Sequence, residues 1–190
     1  METLNYEVLK KSGYNGYIKE SAPEKVMQFG EGNFLRAFVD YFFDCANEKA
    51  DWNGKVVLVQ PIAQGLTKLI NDQEGLYTLY LRGSEKGEKV DLKRVISSVS
   101  RCINPYDDFD AVLELAKSDD LEYIVSNTTE AGIVHESESK FDQCPPISFP
   151  AKLTQVLYHR YKAGKKGIRS AGGTDRLCHR PRRKDHRKRL

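Results

Sequence analysis

Phe29-Gly30-Glu31-Gly32-Asn33-Phe34-Leu35-Arg36 places two glycines one residue apart, after a short apolar run and before a stretch with helical spacing. Such a junction suits one kind of chemistry. The first glycine permits a tight turn. The second lets the main chain approach a diphosphate, which then rests on the free N–H groups and positive end of the helix. Gly30 and Gly32 meet both demands, but Leu35 stands where the usual dinucleotide fingerprint has its third glycine. On this motif alone, a nucleotide loop and a plain strand-to-helix turn are evenly matched. A second group, Ser126-Asn127-Thr128-Thr129-Glu130-Ala131-Gly132, follows another apolar run. Small polar side chains at a strand's carboxyl end can contact the far half of a dinucleotide, or simply form a polar turn. Glu130 could accept a hydrogen bond there, and nothing marks it as catalytic.

These residues need elements to hold them. Val26-Met27-Gln28-Phe29 reads as a buried strand. Residues 33–49 read as a helix with Phe34, Leu35, Phe38, Phe42 and Cys45 at helical spacing, and Asn33 as its cap. Asp51-Trp52-Asn53-Gly54 signals a turn, and Val56-Val57-Leu58-Val59 a strand buried on both faces. Strand, helix and strand within about 35 residues make a unit with parallel strands. Residues 76–82 and 90–100 read as strands around a polar loop at 83–89, a hairpin insertion. Residues 106–117 and 149–162 read as helices, with Pro150 acceptable in a first turn, and Tyr123-Ile124-Val125-Ser126 as another short strand. The expected fold class is α/β, a Rossmann-like, mostly parallel sheet with a β-hairpin insertion.

The string from Gln28 to Asp40 resembles the opening motif of the mannitol dehydrogenase family, which uses G-x-G-N-F-x-R rather than the three-glycine form. The likeness continues in order through D-Q-E-G-L-Y-T at 72–78, R-V-I-S-S-V-S-R at 94–101, S-N-T-T-E-A-G at 126–132 and F-P-A-K-L-T at 149–154. It covers about residues 20–167 and is nearest to the family branch that handles tagaturonate. The resemblance implies NAD as cofactor, held by Val26, Met27, Gln28, Phe29, Gly30, Glu31, Gly32, Asn33, Phe34, Leu35, Arg36, Ala37, Asn127, Thr128 and Glu130, with Arg36 near the phosphates. It implies hydride transfer between NADH and D-tagaturonate, giving D-altronate; fructuronate, mannitol and mannitol 1-phosphate are the substrates of related branches. In that family the catalytic lysine and the substrate contacts lie in a later helical domain. This chain is therefore expected to stop before it, to supply only the cofactor half and to be inactive alone. A hexuronate is expected as a partner only with that domain. The end of the second strand, Gln60-Pro61, offers neither the acid that often holds the ribose of NAD nor an arginine for a 2′-phosphate. The resemblance favours NAD.

Bulk composition is that of a globular chain: 190 residues, 39% apolar and 30% charged. No apolar run is long enough to span a membrane, and the first eleven residues lack the pattern of a secretory signal, so a cytoplasmic protein without membrane partners is expected. Cys45, Cys102, Cys144 and Cys178 form no C-x-x-C pair, which gives no support to a zinc or redox site and leaves free thiols as the expectation. His135 and His159 lack partners at metal-ligand spacing. Nine Lys or Arg and two Asp lie between Arg169 and Leu190, leaving 21 basic against 25 acidic residues before them. The acidic body gives no case for nucleic-acid binding. The expected division is a nucleotide domain at 1–167 and a basic tail at 168–190 foreign to the family. Codons permitted for Arg169 to Arg187, read one base later, spell VLPVELIDYATDREEKITE, which is similar to the family's continuation through L-P-x-E-L-I-D. A shifted reading frame near residues 166–168 is therefore expected, with a disordered tail, loss of the strand that should follow helix 149–162, and poor stability. The coding DNA decides it. The competing reading is a basic-tailed binding module, testable as a salt-dependent DNA shift that vanishes on trimming after Gly167.

Overall fold

In a computed structural model of the chain, the structure describes residues 2–129, 132–133, 140–165 and 167–171. The chain begins with α1 (Tyr6–Lys11) and β1 (Glu24–Phe29). A helical run follows: α2 (Asn33–Leu35), a π-helical segment (Arg36–Asp40) and α3 (Tyr41–Lys49). Next come β2 (Lys55–Val59), α4 (Thr67–Asp72), β3 (Tyr77–Glu85), β4 (Glu88–Ile96) and β5 (Val99–Ile103). The chain continues through α5 (Phe109–Ala116), β6 (Tyr123–Ser126), α6 (Phe149–Lys162) and β7 (Arg169–Ala171). Five strands form one sheet in the order β5-β2-β1-β6-β7, each neighbouring pair parallel. From β1 the order runs outward to β2 and β5, then returns to β6 and β7 on the other side. A crevice opens at the carboxyl ends of β1 and β6, where the direction reverses.

The continuous β-branched runs are buried on both faces. Val26, Val56 and Leu58 pack with Leu35, Ile70, Val99, Cys102 and Val125, under the helical run. Met27, Phe29, Val57 and Val59 point the opposite way, onto Val112, Leu113 and Leu115 of α5 and Val156 of α6. Full burial stabilises each such side chain by roughly 1.5–3 kcal/mol. Among the described residues no helix is long and apolar enough to cross a membrane. Cys45, Cys102 and Cys144 are free thiols.

Several expectations need correction. The hairpin strands run through the expected loop at 83–89 and turn at Lys86 and Gly87, whose φ values of 52° and 87° suit a tight two-residue turn. The expected strand at 90–100 is two strands. The chain leaves the hairpin after Ile96, and β5 joins the main sheet beside β2. Ser97 and Ser98 make that break because their hydroxyls turn away to bond the helical run. Asn33 does not cap the helix. Gly32 is the N-cap, with no side-chain bond, and the Asn33 Oδ1 accepts from Arg36 Nη2 at 2.7 Å. Helix 149–162 is followed by a strand after all, since β7 pairs with β6. A parallel ladder joins main chain to main chain and can form over three residues without a particular sequence. Residues 172–190, which hold the rest of the tail and Cys178, lie outside the described residues, as does His135.

The helical run 33–49 has the expected period but the opposite face inward. Phe34, Phe38 and Phe42 are 62%, 50% and 53% exposed, with neighbouring ring centroids 5.7 and 4.7 Å apart. Leu35 faces the sheet with Asp40, Asp44 and Asn47, all buried, and Val39 and Phe43 pack beside them. Buried polar groups are tolerable only with partners. Most have them: Asn47 exchanges two hydrogen bonds with Gly54, at 2.8 and 2.9 Å, across the Asp51–Gly54 turn.

Candidate functional site

The loop between β1 and the helical run is held by its main chain. Gly30 N–H donates to the Val59 carbonyl at 2.9 Å, continuing the ladder one residue past β1. Gly30 has φ 123°, and a Cβ there would come within 3.0 Å of Leu35 Cδ1. A side chain is excluded by conformation. Gly32 differs: its φ of −68° suits any residue, and a Cβ would meet nothing within 4 Å. Above it lies a cleft of about 600 Å³ at the carboxyl ends of β1, β2 and β6. That volume is ordinary for a small-molecule or cofactor site.

Of the residues expected to bind, Phe29, Gly30, Glu31, Gly32, Phe34, Leu35, Asn127 and Thr128 line the cleft together. Val26 and Met27 do not reach it; they are fully buried on opposite faces of β1. Gln28 is fully buried beneath the loop and donates to the Gly30 carbonyl at 3.1 Å. Asn33 and Ala37 are exposed on the helix. Arg36 is half-buried, bonded to Asn33, with its guanidinium over the Tyr77 ring at 5.2 Å from the centroid. Glu130 lies outside the described residues.

Sequence reasoning missed the rest of the wall. Pro61 and Ile62 follow β2, Tyr106 follows β5, and Ile147, Ser148 and Phe149 lead into α6. Their signal was positional: all sit just beyond strand ends or at a helix start. The buried Lys152 braces this wall, donating to Tyr106 Oη and to the Ile147 carbonyl, both at 3.0 Å. Gln60 stands where an acid would hold a ribose, yet its side chain turns inward. Its Oε1 accepts from Thr67 Oγ1 at 2.7 Å and its Nε2 donates to the Ile62 carbonyl at 2.7 Å, shaping the loop after β2.

The middle segments hold the helix after the glycine loop in place. Tyr77 Oη donates to the Arg36 carbonyl at 2.7 Å, and Ser98 Oγ to the Asp40 carbonyl at 2.7 Å, at either end of the π-helical segment. Ser97 donates to Asp44 Oδ1 from its N–H at 2.9 Å and its hydroxyl at 3.1 Å. Arg94 takes the other Asp44 oxygen at 2.8 Å from Nε, and Glu48 at 2.7 Å from Nη1. Gly75, with φ 77°, lets β5 pass closely, since a Cβ there would lie 2.5 Å from the Val99 carbonyl oxygen. Burial pushes the Asp40 carboxyl up to about 8, against the pull of Gln28 and Arg36.

The mannitol dehydrogenase Rossmann domain profile matches residues 24–170. Altronate oxidoreductase of Klebsiella pneumoniae is 50% identical over 163 residues, 85% of this chain and 32% of that protein. Altronate oxidoreductase of Bacillus subtilis is 47% identical over 157 residues, covering 83% of this chain and 32% of that protein. The chain thus spans about a third of the length of these curated relatives. Among solved structures, Pseudomonas fluorescens mannitol 2-dehydrogenase, in a ternary complex with NAD and D-mannitol, superposes with a TM-score of 0.71 at 19% identity. The match covers 88% of this chain and 37% of that one. A D-sorbitol dehydrogenase superposes with a TM-score of 0.66 at 20% identity, over 88% of this chain and 38% of that one. With the five parallel strands and the glycine loop at their carboxyl edge, the profile match establishes that this chain belongs to the mannitol dehydrogenase family, as a Rossmann domain.

Proposed function

We propose that the cleft over Gly30 and Gly32 binds NAD(H), and that in longer proteins of this family the bound nicotinamide exchanges a hydride with D-tagaturonate and D-altronate. The observation that carries the first part is Gly32. No contact within the fold and no backbone angle requires a glycine there, so its missing side chain serves whatever approaches from the cleft. A diphosphate at the start of a helical run is the ligand that most needs such an approach.

When bound, NADH supplies the hydride. The chain's own part is to hold and orient. The loop residues 30–32 cradle the diphosphate, with Asn33, Phe34, Arg36 and Ala37 on the helix beside it. Asn127 and Thr128 face the nicotinamide half, where Glu130 is expected from the sequence to join them. Val26, Met27, Gln28, Phe29 and Leu35 act from beneath by fixing the strand and the turn. Residues 60–66 carry no Lys or Arg to meet a 2′-phosphate, which favours NAD over NADP. Altronate is supported by relatives named altronate oxidoreductase at 45–50% identity, and tagaturonate by the sequence resemblance. Activity needs the two thirds of their length that this chain does not span. Fluorescence titration of the purified chain tests the cofactor assignment. NADH is expected to bind weakly, at least about tenfold more tightly than NADPH, with no tagaturonate reduction. Turnover by this chain alone, or equal binding of the two nucleotides, contradicts the corresponding part.

A further inference from the structure

Beneath the glycine loop lies a polar pair that the cleft itself does not touch. Gln28 on β1 and Asp40 at the end of the π-helical segment are both fully buried. Gln28 Nε2 donates to the Gly30 carbonyl at 3.1 Å and to Asp40 Oδ2 at 3.4 Å, tying the helix to the first residue of the loop. We infer that Gln28 and Asp40 are positioning residues that hold the Gly30 main chain in its glycine-only conformation, and that Asp40 does so as a neutral carboxylic acid, which makes the loop's order pH-sensitive. The consequence for cofactor affinity rests on the NAD(H) reading; the state of the pair does not.

The surroundings of Asp40 argue for the neutral form. On its own helix stand Arg36 and Asp44. β3 presents Tyr77, whose hydroxyl donates to the Arg36 carbonyl and also reaches the Asp40 carboxyl, where it favours the charged form against the effect of burial. β1 presents Gln28, and the turn between β4 and β5 presents Ser98, which bonds the main chain of Asp40 and not its carboxyl. Arg36 is the nearby cation, but its guanidinium turns to Asn33 and the Tyr77 ring, and no ion pair joins it to Asp40 among the described residues. Arg94 is committed to Asp44 and Glu48. Gln28, Arg36 and Tyr77 all favour an ionised Asp40, but the carboxyl is fully buried and forms no ion pair with Arg36 among the described residues, and burial outweighs them. Asp40 Oδ1 and Gln28 Oε1 are both buried acceptors without partners. Arg36 Nε is a buried donor without a partner, and a proton on Asp40 gives its carboxyl a donor of its own. Burial pushes the carboxyl up to about 8, in keeping with that geometry.

The sign follows. A carboxyl raised in the folded state contributes stability that is complete below its unfolded value, near 4, and lost as pH rises to about 8. The test compares the wild-type 190-residue chain with Asp40→Asn, which keeps a neutral polar group, and Asp40→Leu, which keeps volume alone. The melting temperature of the wild type should fall relative to Asp40→Asn between about pH 5 and 8. Exchange of the Gly30 amide, which donates to the Val59 carbonyl at 2.9 Å, should speed up roughly tenfold or more at pH 6 in Asp40→Leu and be largely rescued in Asp40→Asn. NADH affinity of the wild type should weaken about threefold or more from pH 6.5 to 9, and that of Asp40→Asn should not. Parallel melting curves for wild type and Asp40→Asn overturn the neutral acid, and equal loop exchange in both variants overturns the positioning role. Should Asp40→Leu fail to fold, the ¹³C titration of the Asp40 carboxyl in the wild type decides: a midpoint below about 5 overturns the proposal. If the wild type binds no NADH, the cofactor reading falls, while the melting and exchange measurements still judge the pair.

Discussion

Gly30 and Gly32 stand one residue apart and lack side chains for different reasons, so the same substitution should do different things. Gly30→Ala forces a side chain onto φ 123° and against Leu35. It should cost about 1–3 kcal/mol in urea unfolding. Gly32→Ala meets no strain and open space. Its stability should change by less than about 0.5 kcal/mol, while NADH affinity falls about tenfold or more. Undiminished affinity in Gly32→Ala would remove the main support for a diphosphate at this loop. The sequence alone could not separate the two glycines, because a motif records which residue is present and not whether backbone angle or ligand demands it.

At the scale of elements, the helical run 33–49 shows why a correct period can give the wrong face. The helical spacing rested on Phe34, Phe38 and Phe42 among others, yet Asp40, Asp44 and Asn47 are buried. The structure reverses the face because Asp44 meets Arg94 and Ser97, Asn47 meets Gly54, and the Asp40 carbonyl meets Ser98. Those partners lie 7 to 58 residues away in sequence, beyond the reach of any local pattern. Tyr77→Phe removes the donor to the Arg36 carbonyl and should destabilise the chain by about 1–3 kcal/mol, read from urea unfolding. A value near zero would mean that water serves the π-helical segment as well as the phenol does. The phenylalanine stripe makes the opposite prediction. Phe38→Ser should leave stability nearly unchanged and lower both dye binding to exposed apolar surface and self-association, measured by light scattering. Loss of cooperative unfolding in that variant would show the ring to be structural.

Across the whole molecule, the strand–helix–strand unit around the glycine loop was legible because each element is short, apolar and bounded by clear turns. The path of β5 was not. Residues 90–100 read as one strand, and only the adjacent Ser97 and Ser98 mark the transfer from hairpin to sheet. The short helices α1 and α4 were missed for a similar reason, since six residues make fewer than two turns of periodicity. The cleft's far wall required the fold, because Pro61, Tyr106 and Phe149 meet only once the strands are in order.

The arm that precedes β1 carries a consequence of its own. The family profile begins at residue 24, yet α1 lies over Leu76 and Val95 through Leu9, and the Tyr6 hydroxyl accepts from the buried Lys55 Nζ at 3.1 Å. Burial lowers that amine to about 8, so much of it is uncharged in mildly alkaline solution, held on the Ser97 carbonyl at 2.6 Å and covered by Tyr6. An acylating reagent at about pH 8.5 should therefore spare Lys55 while the arm is seated and modify it once residues 2–20 are removed. Mass spectrometry of that single lysine becomes a gauge of whether the first twenty residues belong to the folded body.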